Sequence, residues 1–250
     1  MATMEMATLN QHLQEQVRNL QHEIERLRRL RQFISPQVVD TILSDPSGEP
    51  LRSHRRDVVV VFFDLRGYTT FAQTSEPEAV MRLLREYHAE IGHLAADYSG
   101  TIERFTGDGI MIFFNAPLPL ADAAERAVQL ALDVRARFAE IVVRWRREGQ
   151  HLALGVGISS GYATVGPIGF EGRYDYAAIG TVTNLAARLC GEAKPNQILA
   201  CQRVVASLED VAEVEYVGDL VLRGFLSPTR VCNVLGLKPS RAGVVTSRRS

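Results

Sequence analysis

Apolar residues recur on a seven-residue period through the first part of the chain and then change rhythm. Between residues 5 and 34 there is neither glycine nor proline. Met6, Leu13, Leu20, Leu27 and Ile34 occupy one heptad position, and Asn10, Val17, Ile24 and Arg31 occupy the other. β-Branched residues at the a position with leucine at d predict a parallel two-stranded coiled coil, and an asparagine at a is a register- and dimer-setting device. The intervening residues are Gln, Glu, Arg and His, as a solvated face requires. The alternative is a lone amphipathic helix folded back on the rest of the chain. Residues 1–34 are therefore expected to be a dimerisation and signalling stalk, which Pro36 ends or kinks. Residues 35–51 hold a short helical pattern, PQVVDTIL, and a turn-forming cluster from Ser44 to Gly48 that reads as a linker.

From Arg52 the pattern becomes that of a globular domain, expected over residues 52–237. Val58–Phe63 is short, β-branched and aromatic, which predicts a buried strand. Glu76–Tyr98 carries Val80, Leu83, Leu84, Tyr87, Ile91 and Leu94 at helical spacing, with Pro77 in the first turn. Thr101–Phe105 and Ile110–Phe114 flank Thr106-Gly107-Asp108-Gly109, a hairpin signature. Further helices are predicted over Ala121–Arg147, Val182–Ala193 and Gln202–Leu208. Further strands are predicted over Leu152–Ser159, with Tyr162–Val165 available to pair with it, over Gln197–Ala200, and near Tyr216–Leu222 and Arg230–Leu235. Strands alternating with helices around an early hairpin predict an α/β class, an α+β sandwich on a mixed or antiparallel sheet. Residues 238–250 are polar and basic and are expected to be a disordered tail.

Composition narrows the functional classes. The 250 residues are 46% apolar with a formal net charge of −1, so no strong field points to nucleic acid or an anionic membrane. Cys190, Cys201 and Cys232 form no CxxC pair or disulfide framework and fit a reducing compartment. No apolar run approaches the ~20 residues of a membrane-spanning helix. The start, MATMEMATLNQHLQEQ, lacks a signal-peptide core. A cytoplasmic location is expected, with membrane attachment through a partner or a longer parent chain left open.

The candidate chemistry lies at strand ends. Asp64 terminates the first buried strand and Asp108 sits in the hairpin turn. Strand ends carry functional side chains on a rigid frame open to solvent. Two carboxylates brought together need a cation between them, and Mg²⁺ is usually held by one or two carboxylates plus substrate phosphate. After Asp64, the stretch Arg66-Gly67-Tyr68-Thr69-Thr70 suits phosphate, since Gly67 permits close backbone approach and Thr69 offers a hydroxyl. Each acid alone has an ordinary reading, Asp64 as a cap and Asp108 as a turn residue. Together they need two strands to end in acids by accident.

Three segments, FFDLRGYT, IERFTGDGIMIFF and YDYAAIGTVTNLAARL, in this order, resemble the class III nucleotidyl cyclases, the adenylyl and guanylyl cyclases. The resemblance covers about residues 55 to 236. It implies a ferredoxin-like palm, a homodimer with active sites between protomers, and two Mg²⁺ or Mn²⁺ ions per site. By this resemblance Asp64, Asp108 and the carbonyl of Leu65 match the metal ligands. Asn184 matches the residue that orients the ribose, and Arg188 the one that stabilises the pentavalent phosphorus; in a dimer both come from the chain opposite the aspartates. Arg223 matches a basic residue, commonly lysine, that grips the terminal phosphates, together with the Gly67, Tyr68 and Thr69 backbone.

The base-recognition pair departs from the family pattern. Arg104 stands where lysine reads adenine or glutamate reads guanine, and Ala177 stands where aspartate or threonine reads adenine or cysteine reads guanine. Arg104 can donate to either purine, and Ala177 has no side-chain acceptor. The resemblance implies ATP as substrate, with cyclic AMP and pyrophosphate as products. GTP, or a non-catalytic nucleotide-binding signalling module, are the alternatives. The stalk suggests regulation by an upstream sensor domain.

Overall fold

The computed structural model describes residues 2–45, 47 and 49–238, so the tail expected over residues 238–250 lies, apart from Lys238, outside the described residues. The first element, α1 (Ala2–Arg31), does not fold back on the globular part. Leu13, Val17, Leu20, Ile24 and Leu27 are each 49–58% exposed, so its apolar seam is uncovered in a single chain. The helix ends at Arg31, ahead of Pro36. That proline instead opens α2 (Pro36–Ser44) from its first turn, where a missing N–H costs nothing. Arg31 reaches Asp40 across the bend at 3.2 Å, and Gln37 donates to the Gly100 carbonyl at 2.8 Å, which docks α2 on the globular domain.

The domain is built around β1 (His54–Arg66). Next come α3 (Tyr68–Thr74), α4 (Pro77–Asp97), the hairpin β2 (Thr101–Thr106) and β3 (Gly109–Phe114), and α5 (Ala123–Arg147). They are followed by β4 (Ala153–Phe170), β5 (Arg173–Ile179), α6 (Thr181–Glu192), β6 (Ile198–Cys201), α7 (Gln202–Ala206), β7 (Ala212–Leu220) and β8 (Thr229–Leu237). One eight-stranded sheet runs β2-β3-β1-β4-β6-β8-β7, with β5 added against β4. The pairs are antiparallel except β4 with β6. Its first half, in the order β2-β3-β1-β4, is the βαββαβ ferredoxin-like palm.

The apolar run of β1 has two partners. Val59, Val61, Phe63 and Leu65 point into the main core with Leu83, Tyr87 and Phe138 of α4 and α5. Val58 and Val60 point to the opposite face, against Ala178, Val182 and Ala186 of β5 and α6. A strand covered on both faces reads as a continuous hydrophobic stretch. The second layer sits close because β4 carries Gly157, where a Cβ would collide with the Ala186 carbonyl and the Cys190 nitrogen.

Three local readings differ from the structure. Leu152–Ser159 and Tyr162–Val165 are not two paired strands; they belong to one strand of 18 residues. Ser159-Ser160-Gly161 continues extended because each of these residues pairs with β1. The segment around Tyr174–Ile179 forms β5, a strand the sequence pattern does not suggest. Tyr68–Thr74, for which the sequence pattern suggests no element, is a short helix entered through Gly67 at φ 86°. A side chain at Gly67 would also strike the His151 carbonyl.

Candidate active site

Sheet register brings the two strand-end acids together. β1 pairs with β3 through Phe63 opposite Ile110, so Asp64 arrives beside Gly109, the residue after Asp108 in the hairpin turn. By alternation Asp64 lies on the face of Val58 and Val60, the less covered face of the sheet. The Leu65 backbone N–H donates to the Asp108 carboxylate. Asp108 is half-buried, and its pKa is raised from 3.8 to about 6, first by burial and next by the negative charge of Asp64. Beneath the pair, Tyr87 is fully buried with its hydroxyl unpartnered. Burial pushes its phenol far up, and the charges of Cys190, Asp64 and Asp108 add to this. The turn itself is held from behind, where His88 Nε2 lies 2.9 Å from the Gly107 carbonyl and the ring stacks on Phe105 at 4.7 Å.

An all-oxygen donor set fits a hard divalent cation. Two half-exposed carboxylates and the backbone of Leu65 face the same opening, and one acid is held uncomfortably by the other. Among the described residues no group of three or more His, Cys, Asp or Glu could hold a metal.

Arg66, grouped with the phosphate loop in the sequence, has a different job. Its Nη1 donates to Asp64 Oδ2 at 2.5 Å, its Nε to the Ala193 carbonyl at 3.0 Å, and its Nη2 to the Cys190 carbonyl. Gly155, paired with Asp64 on β4, leaves the slot in which this guanidinium lies. Arg66 thus fastens the Asp64 carboxylate to the C-terminal turn of α6, where a cation also suits the helix dipole. Of the remaining residues of that stretch, Tyr68 packs partly into the core and Thr69 is exposed.

The other predicted residues do not converge on this pair within one chain. Asn184 and Arg188 are one turn apart on α6, and both are exposed. Val182, Ala186, Leu189 and Cys190 bury the opposite side of that helix, so α6 turns Asn184 and Arg188 away from its own sheet. Arg223 is exposed in the loop after β7, which ends at Leu220 rather than Leu222. The loop is pinned by buried Leu222 and partly buried Phe225 on either side of it.

The base-recognition positions do meet, through a residue the sequence does not single out. Ala177 on β5 is buried at 2% exposure. Arg104 on β2 is exposed and bonded back to Glu103, Nε to Oε1 at 3.0 Å. Glu103 Oε2 lies 3.4 Å from the Ala178 N–H. Glu103 carries no signal of its own in the sequence, since a charged residue beside another charged residue reads as an ordinary solvated pair.

Comparison with known proteins gives the frame for this geometry. Residues 52–234 match the family model described as the adenylate and guanylate cyclase catalytic domain. "Adenylate cyclase 1" of Rhizobium meliloti is 31% identical over 186 residues, 73% of this chain and 28% of that protein. The crystal structure of the adenylyl cyclase CyaB from P. aeruginosa superposes with a TM-score of 0.73 at 32% identity, covering 77% of this chain and all of that one. The guanylyl cyclase Cya2 gives 0.72 at 28% identity, covering 76% and 97%. The chain spans only about a third of the length of the curated relatives it matches.

Proposed function

The chain belongs to the adenylate and guanylate cyclase catalytic domain family, and from that membership we propose that it is a homodimeric adenylyl cyclase, converting ATP to 3′,5′-cyclic AMP and pyrophosphate. The observation that carries the reading is the Asp64–Asp108 pair at the open end of the palm, one acid raised to about 6 by burial and by the other. Such a pair is costly unless a cation joins it.

In this reading Asp64, Asp108 and the Leu65 carbonyl hold Mg²⁺ or Mn²⁺, two ions per site. Bound there, the ions lower the pKa of the ribose 3′-hydroxyl and neutralise the triphosphate. The 3′-hydroxyl gives its proton to solvent as its oxygen bonds to the α-phosphorus, the bond from that phosphorus to its bridging oxygen breaks, and pyrophosphate leaves. Arg188 of the neighbouring chain sets a guanidinium fork against the charge that grows on the phosphoryl oxygens. Asn184 of the same chain holds the ribose oxygen by its amide. Arg223 and the backbone of Gly67, Tyr68 and Thr69 hold the terminal phosphates. The two faces of α6 support the division between chains, since Asn184 and Arg188 look away from their own acids.

ATP is preferred over GTP because the guanine-reading Glu/Cys pair is absent and because two relatives at 31% and 32% identity, "Adenylate cyclase 1" of Rhizobium meliloti and CyaB of P. aeruginosa, are adenylyl cyclases. The uncovered α1 seam supports a parallel coiled coil over residues 1–34 that an upstream sensor domain rotates, with residues 52–237 as the catalytic unit. The test is cyclic nucleotide production from ATP and from GTP by the purified protein with Mg²⁺ or Mn²⁺. Cyclic AMP formation that disappears in Asp108→Ala while the dimer persists is expected. A variant with near-normal metal-dependent turnover would remove the assignment of Asp108, and cyclic GMP as the main product would reassign the substrate.

A further inference from the structure

Glu103 is the unusual residue of the base-reading region. Its carboxylate is 2% exposed, whereas the Arg104 side chain beside it is 56% exposed. The cause is a β-bulge: Ile102 opposes Ile112 and Arg104 opposes Met111, so Glu103 is the extra residue on β2. A bulge re-aims one side chain without moving the strand, and bulges gather next to active sites. Here the re-aimed carboxylate turns toward the free edge of β5. One oxygen takes the Arg104 guanidinium and the other faces the Ala178 N–H.

This arrangement engages the Ala178 groups at the edge of β5. The Ala178 N–H faces Glu103, and the Ala178 carbonyl accepts from the Thr183 hydroxyl at 2.8 Å. An antiparallel ladder alternates, so with both Ala178 groups turned outward those of Ala177 turn toward β4. Ala177 therefore offers the base neither a side-chain nor a free backbone acceptor. Arg104 is the side chain placed to read it, with Nε and Nη2 bonded to Glu103 and the Nη1 end left free.

We infer that Glu103 is a specificity-determining positioning residue, which holds Arg104 by Nε and Nη2 and so fixes the direction in which the remaining end-on Nη1 and Nη2 hydrogens meet a purine. The inference rests on the cyclase reading and deepens it. In place of an acceptor at position 177, selectivity is exercised by tying down the one donor.

The experiment compares kcat/KM for ATP and GTP in the wild type, Glu103→Gln and Glu103→Asp, with thermal unfolding run alongside. Glu103→Gln keeps the size and loses the charge, and it is expected to shift the ATP:GTP ratio by about tenfold, the scale of one discriminating contact made or lost. Glu103→Asp should restore part of the ratio. In an Arg104→Gln background the Glu103→Gln substitution should leave the ratio unchanged, because it acts through Arg104. Equal losses with both nucleotides, or an effect that persists without Arg104, would overturn the inference and leave Glu103 a structural brace. If the wild type cyclises neither purine, the cyclase reading fails on its own. Displacement of a fluorescent ATP analogue by ATP and by GTP then reads the same ratio as binding, and an unchanged ratio in Glu103→Gln would equally refute the role.

Discussion

Replacing Asp108 by asparagine should make the protein more stable and inactive at once. The carboxyl has an ordinary pKa of 3.8 and is raised to about 6, first by burial and then by Asp64. At 1.36 kcal/mol per pH unit, that distance corresponds to ~3 kcal/mol of unfavourable energy when the group is ionised and no cation is bound. Asp108 is only half-buried, and solvent screening reduces the figure to about 1–2 kcal/mol. Asparagine keeps an oxygen to accept from the Leu65 N–H and removes the charge. The sign follows from the folded pKa lying above the unfolded one. The stability this group supplies is complete below pH 3.8 and is lost as the pH rises through about 6. The gain from Asp108→Asn should therefore be negligible near pH 4 and complete above pH 7, where it amounts to a Tm increase of roughly 3–6 °C.

The assay is thermal unfolding of wild type and variant in chelator at several pH values, repeated with Mn²⁺ and a non-cyclisable nucleotide. Bound cation relieves the same repulsion in the wild type, so ligand should raise the wild-type Tm and barely move the variant. A variant no more stable than wild type at pH 7.5 in chelator, or an equal difference at pH 4 and pH 7.5, would refute the electrostatic account of the pair.

Other outcomes follow from the same geometry. Removal of residues 1–34 should weaken the dimer and change the cyclase rate, measured by sedimentation and by turnover at matched concentration; no change in either would count against the stalk. Arg66→Met should lower stability by ~2 kcal/mol in urea unfolding, since the Asp64 carboxylate and the Cys190 and Ala193 carbonyls all lose their donor. Inactive Asp108→Ala and Arg188→Ala chains, mixed and allowed to exchange, should recover about a quarter of the wild-type rate, because half the dimers are mixed and each mixed dimer keeps one intact site. No recovery would mean that both residues serve the same site from one chain.

The legibility of this chain depended on whether a feature was local or arose from pairing between distant segments. The heptad seam, the βαββαβ order, and Asp64 at the end of an apolar run are periodic or punctuated, and each can be read in a window of a dozen residues. The length of β4 cannot. Ser159-Ser160-Gly161 looks like a turn and stays extended because β1 pairs with it residue for residue. β5 was missed because RYDYAAI lacks strict alternation and gains its burial only beside β2 and α6. The bulge at Glu103 depends on the β2–β3 register, which no residue type announces. Arg66 was identified as useful but given the wrong neighbour, because its partners lie 124 and 127 residues along the chain.

The parts left over in one chain explain one another. α6 buries one side against β4 and presents Asn184 and Arg188 outward, so its polar face has no use within its own fold. α1 carries a heptad seam about half exposed along its length, so its apolar face has none either. A two-fold partner satisfies both, because a parallel stalk sets two palms side by side with corresponding faces turned toward each other. The connection between the two is short. The stalk bends into α2, α2 is tied to the Gly100 carbonyl at the entrance to β2, and β2 carries Glu103, Arg104 and the turn with Asp108. If the chain is regulated as proposed, a rotation of the stalk would be passed through α2 to the hairpin that carries Asp108. The regulatory signal would thus be expressed as a change in hairpin position relative to α6 of the partner.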